Sequence, residues 1–219
     1  MKYNIEDIKK DVRIAMDENS SNAALAGLED VDTLMLDEII GSKVADAARI
    51  VEANAPHYLL DSGKPFGESI GWDSEPGFGS GHIHLPDDFM RLVTFQMSDW
   101  RRAVVDPITE DDPLYAQQIS RFPGIRGNPQ RPVVAIVQQP IGLVLEFYSC
   151  TGGENVYVKK ARYIPVPKVR DGEIEICEKL RPSVVYYTAH MAALTIGHDN
   201  LAQSLLVAAQ NLMDYQSQQ

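Results

Sequence analysis

His82 and His84 are separated by one residue. On a β-strand, side chains alternate between faces, so this spacing puts both imidazoles on one side. Glu75 precedes them and Asp87 and Asp88 follow, so the segment holds the nitrogen and carboxylate donors a divalent cation takes. No third histidine stands at ligand spacing, and Leu85-Pro86 turns the chain before the aspartates. The pair therefore reads as surface histidines at a strand start. Gly77-x-Gly79-x-Gly81 has the composition of a phosphate loop without its context. Such a loop needs a strand before it and a helix N-terminus after it, so that backbone N–H groups meet the phosphate. Here a strand follows, and no GK(S/T) occurs. Asp106, Glu110, Asp111 and Asp112 gather carboxylates of the kind that work as acid and base in glycoside hydrolysis. Acids also collect where a helix dipole begins, and that is the expectation here. Cys150 and Cys177 could each serve as a nucleophile with His190 or His198. Nothing local lowers either thiol's pKa, and Cys150 ends an apolar strand, where a buried, inert thiol is expected. GxSxG, HExxH and EF-hand patterns are absent. The reading is of no catalytic residue, no metal and no cofactor.

Three arginines stand out for binding. Arg121, Arg126 and Arg131 share a Gly/Pro/Asn loop with Phe122, the one basic patch in an acidic chain. A solvated loop is the first reading; the patch could also touch a phosphate or an acidic face of a neighbouring copy. Residues 61–81 hold six Gly and two Pro in 21 residues and cannot form a regular helix. This is a long loop or arm, and loops of that length are usually functional or mobile. Trp72 and Phe78 on it are apolar anchors that need a surface.

The elements that would carry these residues follow from periodicity. Ile5, Ile8, Val12 and Ala15/Met16 predict an amphipathic helix over 4–18, before a polar break at Asn19–Asn22. Val31, Leu34, Met35, Ile39, Ile40, Val44, Ala47, Ala48 and Val51 predict a second over 31–54, capped by Asp30 or Asp32 and closed by Pro56. Gly41 interrupts it at a cost of about 1 kcal/mol against Ala, which points to a kink or a close helix contact. Strands are expected at 81–85, 89–97, 101–105, 132–138, 143–148 and 155–164, with a hairpin turn at Gln139–Gly142. A short helix is expected within 109–120, with Pro113 in its first turn. Pro182 suits the start of a C-terminal helix, Gly197 its end, and Leu201, Leu205, Ala208/Ala209 and Leu212 line a second one.

Helices, then strands, then helices make an α+β chain rather than an alternating one. The expected organisation is a helical bundle from 1–60 and 181–219, an arm at 61–81 and a β-rich insertion over 82–180. The sequence has 219 residues, 20 Lys+Arg against 31 Asp+Glu, a net charge of −11 and a pI near 4.8. That balance repels polyanions and argues against groove-reading of duplex DNA, which needs cations against phosphates. It remains compatible with a wall past which DNA must slide. The two cysteines read as reduced thiols, the charged N-terminal stretch has no apolar signal region, and no stretch reaches the 18 apolar residues of a membrane span. A chain made in a cytoplasm is expected, either staying there or leaving inside an assembly.

The segment Leu85-Pro86-Asp87-Asp88-Phe89, with Arg91, Leu92 and Trp100, resembles one in tailed-phage virion proteins, where it opens a β-rich region between helical segments. The Ala/Leu-rich C-terminal helical pair is similar too. Over residues 85–213 the chain resembles the head-to-tail connector (portal adaptor or ring) proteins of short-tailed phages. The arm at 61–81 belongs to no pattern in that resemblance. The resemblance implies a non-enzymatic virion protein, made in the host cytoplasm. It would be a homo-oligomeric ring of about a dozen copies, docked on the portal on one face and on tail or neck proteins on the other. DNA would pass through without sequence-specific binding. Interface residues are then expected at Trp72, Phe78, Arg121, Arg126, Arg131, Leu201, Leu205 and Leu212. Two other readings compete. One is a cytoplasmic or surface binding module gripping a peptide or sugar with the Trp72 arm. The other is a metal- or carboxylate-dependent hydrolase using His82, His84, Asp87 and Asp88.

Overall fold

A computed structural model describes residues 1–16, 35–67, 69–73, 79–120, 122, 124–140, 142–148, 150–151 and 156–214. In chain order the elements are β1 (Lys2–Asn4), α1 (Ile5–Ala15), α2 (Leu36–Asn54), β2 (Lys64–Pro65), β3 (Gly71–Trp72), β4 (Gly81–His84), β5 (Phe89–Met97), α3 (Pro113–Gln117), β6 (Val134–Gln139), β7 (Gly142–Phe147), β8 (Val158–Pro165), β9 (Val169–Arg170), β10 (Glu173–Glu175), α4 (Arg181–Thr195) and α5 (Asp199–Asp214). The chain is α+β, with its N- and C-terminal helices packed together and sheets between them in sequence. It divides into two compact units: 1–61 with 166–219, and 62–165.

The first unit is helical. Asn4 caps α1 by accepting the Glu6 N–H at 2.8 Å, and Ile5, Ile8 and Val12 turn inward at helical spacing. Asp30 and Asp32 lie outside the described residues. The N-cap of α2 is Met35, whose N–H donates to the Glu38 carboxylate at 3.0 Å. The α2 stripe Leu36, Ile39, Ile40, Val44, Ala47, Ala48 and Val51 is buried. Gly41 marks a close approach rather than a break. A Cβ there would stand 3.1 Å from the Lys9 Cε of α1, and α2 runs through it. Arg13 pairs with Asp37 at 3.0 Å, joining α1 to α2.

At the centre of this unit, α4 packs on α1, α2 and α5. A helix surrounded on several sides shows no single apolar face. Ser183, Val184, Val185, Thr188, Ala189, Ala192 and Ala193 of α4 are all buried. Its small side chains let neighbouring helices come near, and Thr188 spends its hydroxyl on the Val184 carbonyl at 2.7 Å. The turn after α4 uses Gly197 at φ +80°, a left-handed position suited to glycine. His190 Nδ1 lies 2.8 Å from the Ala202 carbonyl oxygen, tying α4 to α5.

The expected β-rich region reached residue 180, but the boundary falls at 165. Residues 166–180 belong to the helical unit because β10 pairs with β1 (Tyr3 opposite Ile174) and with β9, and Ile174 and Ile176 are buried there.

The second unit holds two antiparallel sheets, ordered β2-β8-β5 and β3-β4-β7-β6. The β6–β7 hairpin runs in register from Val134 opposite Phe147 to Gln139 opposite Gly142, at the turn the sequence marks. One core draws on both sheets: Ile83, Leu92, Phe95, Met97, Trp100, Val134, Leu145 and Phe147 are buried together. Phe95 is its centre, stacked on Phe66 and Phe147 with ring centroids 6.2 and 6.1 Å away, and edge-on to Trp100 at 5.5 Å. Residues 101–105 do not form the expected strand. Only Val104 bridges, to Phe95, before Pro107 intervenes.

The described part of 61–80 is loop apart from two two-residue strands, and Gly81 already begins β4. β2 pairs with Tyr163 and Arg162 of β8, and β3 pairs with β4. Gly63 opens the stretch at φ +66°, where a Cβ would stand 2.3 Å from the Tyr163 carbonyl oxygen, so no other residue fits without strain.

Candidate functional site

The hairpin β6–β7 has a second apolar face. Ala135, Val137 and Val144 are buried there against Ile108, Tyr115 and Tyr148. Helix α3 is held on this face by a polar cluster. Asp112 caps it through the Leu114 N–H at 2.8 Å, and the Tyr115 hydroxyl donates to Glu146 Oε2 at 3.1 Å. Tyr148 donates to the same oxygen, and Gln139 Nε2 to the other at 3.0 Å. Burial and the Glu146 charge raise the pKa of both tyrosines, which keeps them protonated as donors. The cluster anchors α3 to the sheet.

The loop after α3 is shaped by one buried amide. Gln118, 4% exposed, donates from Nε2 to the Leu114 carbonyl at 2.9 Å and accepts the Gly127 N–H on Oε1 at 2.9 Å. Around it, Ser120 Oγ accepts the Phe122 N–H at 3.2 Å, and the Phe122 carbonyl accepts from Ile125 at 3.0 Å. Asn128 Oδ1 accepts from Gln130 and Arg131, each at 3.0 Å. This tightly bonded loop turns its apolar side chains outward. Ile119 is 81% exposed, Phe122 70% and Ile125 54%, and Leu114 on the neighbouring α3 is 46% exposed. Arg126 and Arg131 line an adjoining cleft of about 420 Å³ together with Leu114, Gln118 and Ile125. Scattered exposed apolar residues mean little, but four within twelve residues, rimmed by guanidinium groups, have the make-up of a recognition surface.

The residues expected at interfaces fare unequally. Arg126 and Arg131 are brought together at the cleft; Arg121 and Phe78 lie outside the described residues. Trp72 packs edge-on against Phe147 at 5.3 Å and keeps 40% of its surface, so it is already seated within its own sheet. Leu205 is buried in the helical unit and spent within the chain, Leu201 is half-buried, and Leu212 is exposed. The outward-facing Leu114 of α3 and Ile119 and Ile125 after it do not stand out in the sequence, because periodicity does not report which side chains of a short helix and its following loop face solvent. A sequence signal did exist: between Pro113 and Leu145 the chain has three arginines and no acid, directly after four acids in 106–112.

Elsewhere, the His82 and His84 rings meet edge to face at 5.8 Å. Asp88 accepts a hydrogen bond from the Tyr163 hydroxyl at 2.7 Å, while Asp87 borders a separate shallow cleft beside His84. Among the described residues no group of three or more His, Cys, Asp or Glu is placed to hold a metal ion. Both cysteines are buried free thiols. Burial, then the charge of Asp99, raises the pKa of Cys150. Burial, then the charge of Glu52, pushes Cys177 up to about 12. Such thiols are poor nucleophiles at neutral pH. No helix among the described residues is long and apolar enough to cross a membrane. No protein-family model matches this chain, and no curated protein sequence matches it either.

Proposed function

We propose that this protein is a structural subunit of a tailed-phage virion, a head-to-tail connector that docks beneath the portal as an oligomeric ring around the DNA channel. The observation that carries this reading is that, among the described residues after α3, buried Gln118 bonds both Leu114 and Gly127 while Ile119, Phe122 and Ile125 face solvent beside the cleft lined by Arg126 and Arg131. A surface that is both apolar and already ordered loses little entropy when it docks, which favours association. The net charge of −11 supports the same reading. A channel wall of that sign repels phosphates and lets a genome slide without being gripped. The helix–sheet–helix order agrees with the resemblance over 85–213.

The test is direct visualisation. Purified protein, alone and mixed with a portal, is examined by native mass spectrometry and electron microscopy. Closed rings or a portal-bound assembly are expected. A chain that stays monomeric in both conditions overturns the reading.

A further inference from the structure

Helix α3 has five residues, too few to be stable by itself. Pro113, Leu114, Ala116 and Gln117 are exposed, and Tyr115 is the one residue of the helix that is not. The chain on either side is pinned. Before α3, Ile108 donates to the Val134 carbonyl at 3.0 Å and accepts the Ile136 N–H at 2.9 Å, which ties it to β6. After it, Arg126 engages another group of the chain, and the Pro129 carbonyl accepts the Arg101 N–H at 3.0 Å. Between these fixed points Tyr115 seats α3 on the sheet. Its ring packs on the Ala135, Val137 and Val144 face, and its hydroxyl donates to Glu146 at 3.1 Å.

We infer that α3 is a latched strap: it lifts from the sheet and reseats through Tyr115 and Glu146, and the apolar surface after it is displayed in one arrangement while the strap is seated. The link is Gln118, which bonds the Leu114 carbonyl of α3 and the Gly127 N–H, both at 2.9 Å, so a shift of α3 is passed to Ile119 beside it. A short helix held by one half-buried ring and one hydrogen bond lies at the low end of local stability. The seat itself belongs to the sheet. Tyr148 and Gln139 both donate to Glu146, Gln139 at 3.0 Å, and hold the carboxylate as a preformed acceptor to which Tyr115 returns. Docking then draws on the seated population alone, so Tyr115 and Glu146 set the apparent affinity through α3. This inference rests on the reading of that surface as a docking site and adds how its display is controlled.

Amide hydrogen exchange on the dilute, unassembled full-length chain tests the latch. Off the sheet a five-residue helix does not persist, so the Tyr115 and Gln118 amides, bonded to the Asp112 and Tyr115 carbonyls at 2.8 and 3.0 Å, open with it. Tyr115→Phe keeps the ring and loses the hydrogen bond. It is expected to speed exchange at these two amides by about three- to tenfold, the worth of one net hydrogen bond, and to leave the β6 and β7 amides unchanged. Tyr115→Ala removes the ring as well and is expected to speed them further. Sedimentation velocity tests the control of display: Tyr115→Ala should weaken self-association by about tenfold. Unchanged exchange in both variants, or equal acceleration in β6 and β7, overturns the latch. Fast exchange at α3 with wild-type association overturns the control of display while the ring reading stands. A wild type that never assembles, with or without a portal, overturns the ring reading and the control of display together, and the exchange result does not depend on it.

Discussion

The two units spend their apolar residues differently. In the helical unit the buried positions follow the helical repeat, and α4 is packed through small side chains, Ala189, Ala192 and Ala193 among them. Exposed apolar residues there are dispersed, with Ile14 on α1, Leu194 on α4 and Val207 on α5. The sheet unit instead concentrates bulk. Its core is aromatic around Phe95, and besides Trp72, Val105 and Tyr157 its exposed apolar residues Leu114, Ile119, Phe122 and Ile125 fall within α3 and the stretch after it. The helical unit also buries a carboxylate, Glu52, 2% exposed, which accepts the Cys177 N–H at 2.6 Å. Periodic burial makes a scaffold, and clustered exposure on a hydrogen-bonded loop makes a surface to be used.

The contrast can be broken most forcefully at the aromatic centre. Phe95→Ala removes a fully buried ring with three aromatic neighbours and is expected to cost about 3–5 kcal/mol in urea unfolding. A loss below about 1 kcal/mol would show that the sheets do not depend on one shared core.

A smaller, pH-dependent effect belongs to the helical unit. Burial, the largest influence, raises the Glu52 pKa above its ordinary 4.5 despite the opposing hydrogen bond from Cys177. The folded state thus holds this proton more tightly than the unfolded chain. Stability is greatest below the unfolded value and falls as pH rises through the folded one. Glu52→Gln stays neutral and can still accept the Cys177 N–H. Melting temperatures from pH 4.5 upward should decline less in the variant than in wild type. Parallel curves would contradict the assignment. The smallest stability effect is expected at the loop. Ile119→Ser at an 81% exposed position should change unfolding free energy by less than about 0.5 kcal/mol while weakening self-association.

Much of this fold is legible in the sequence because its signals are local. The α2 stripe, the alternation in β4 and the turn between β6 and β7 each declare themselves within a dozen residues. The β1-β10-β9 sheet does not. Strands of two or three residues have no measurable period, and Tyr3 finds Ile174 across most of the chain. Residues 101–105 mislead for the opposite reason: their composition suits a strand, but only Val104 forms a β-bridge. The arginine loop is visible as composition. Its outward apolar face is not, because that depends on Gln118 reaching both Leu114 and Gly127.

The split of the helical unit into 1–61 and 166–219 bears on how the chain is made. A ribosome releases α1 and α2 long before α4 exists to cover them. The intervening 62–165 segment is contiguous and can complete its own core first, as units tend to do during synthesis. Packing of α1 and α2 on α4 therefore has to wait until the last helices emerge.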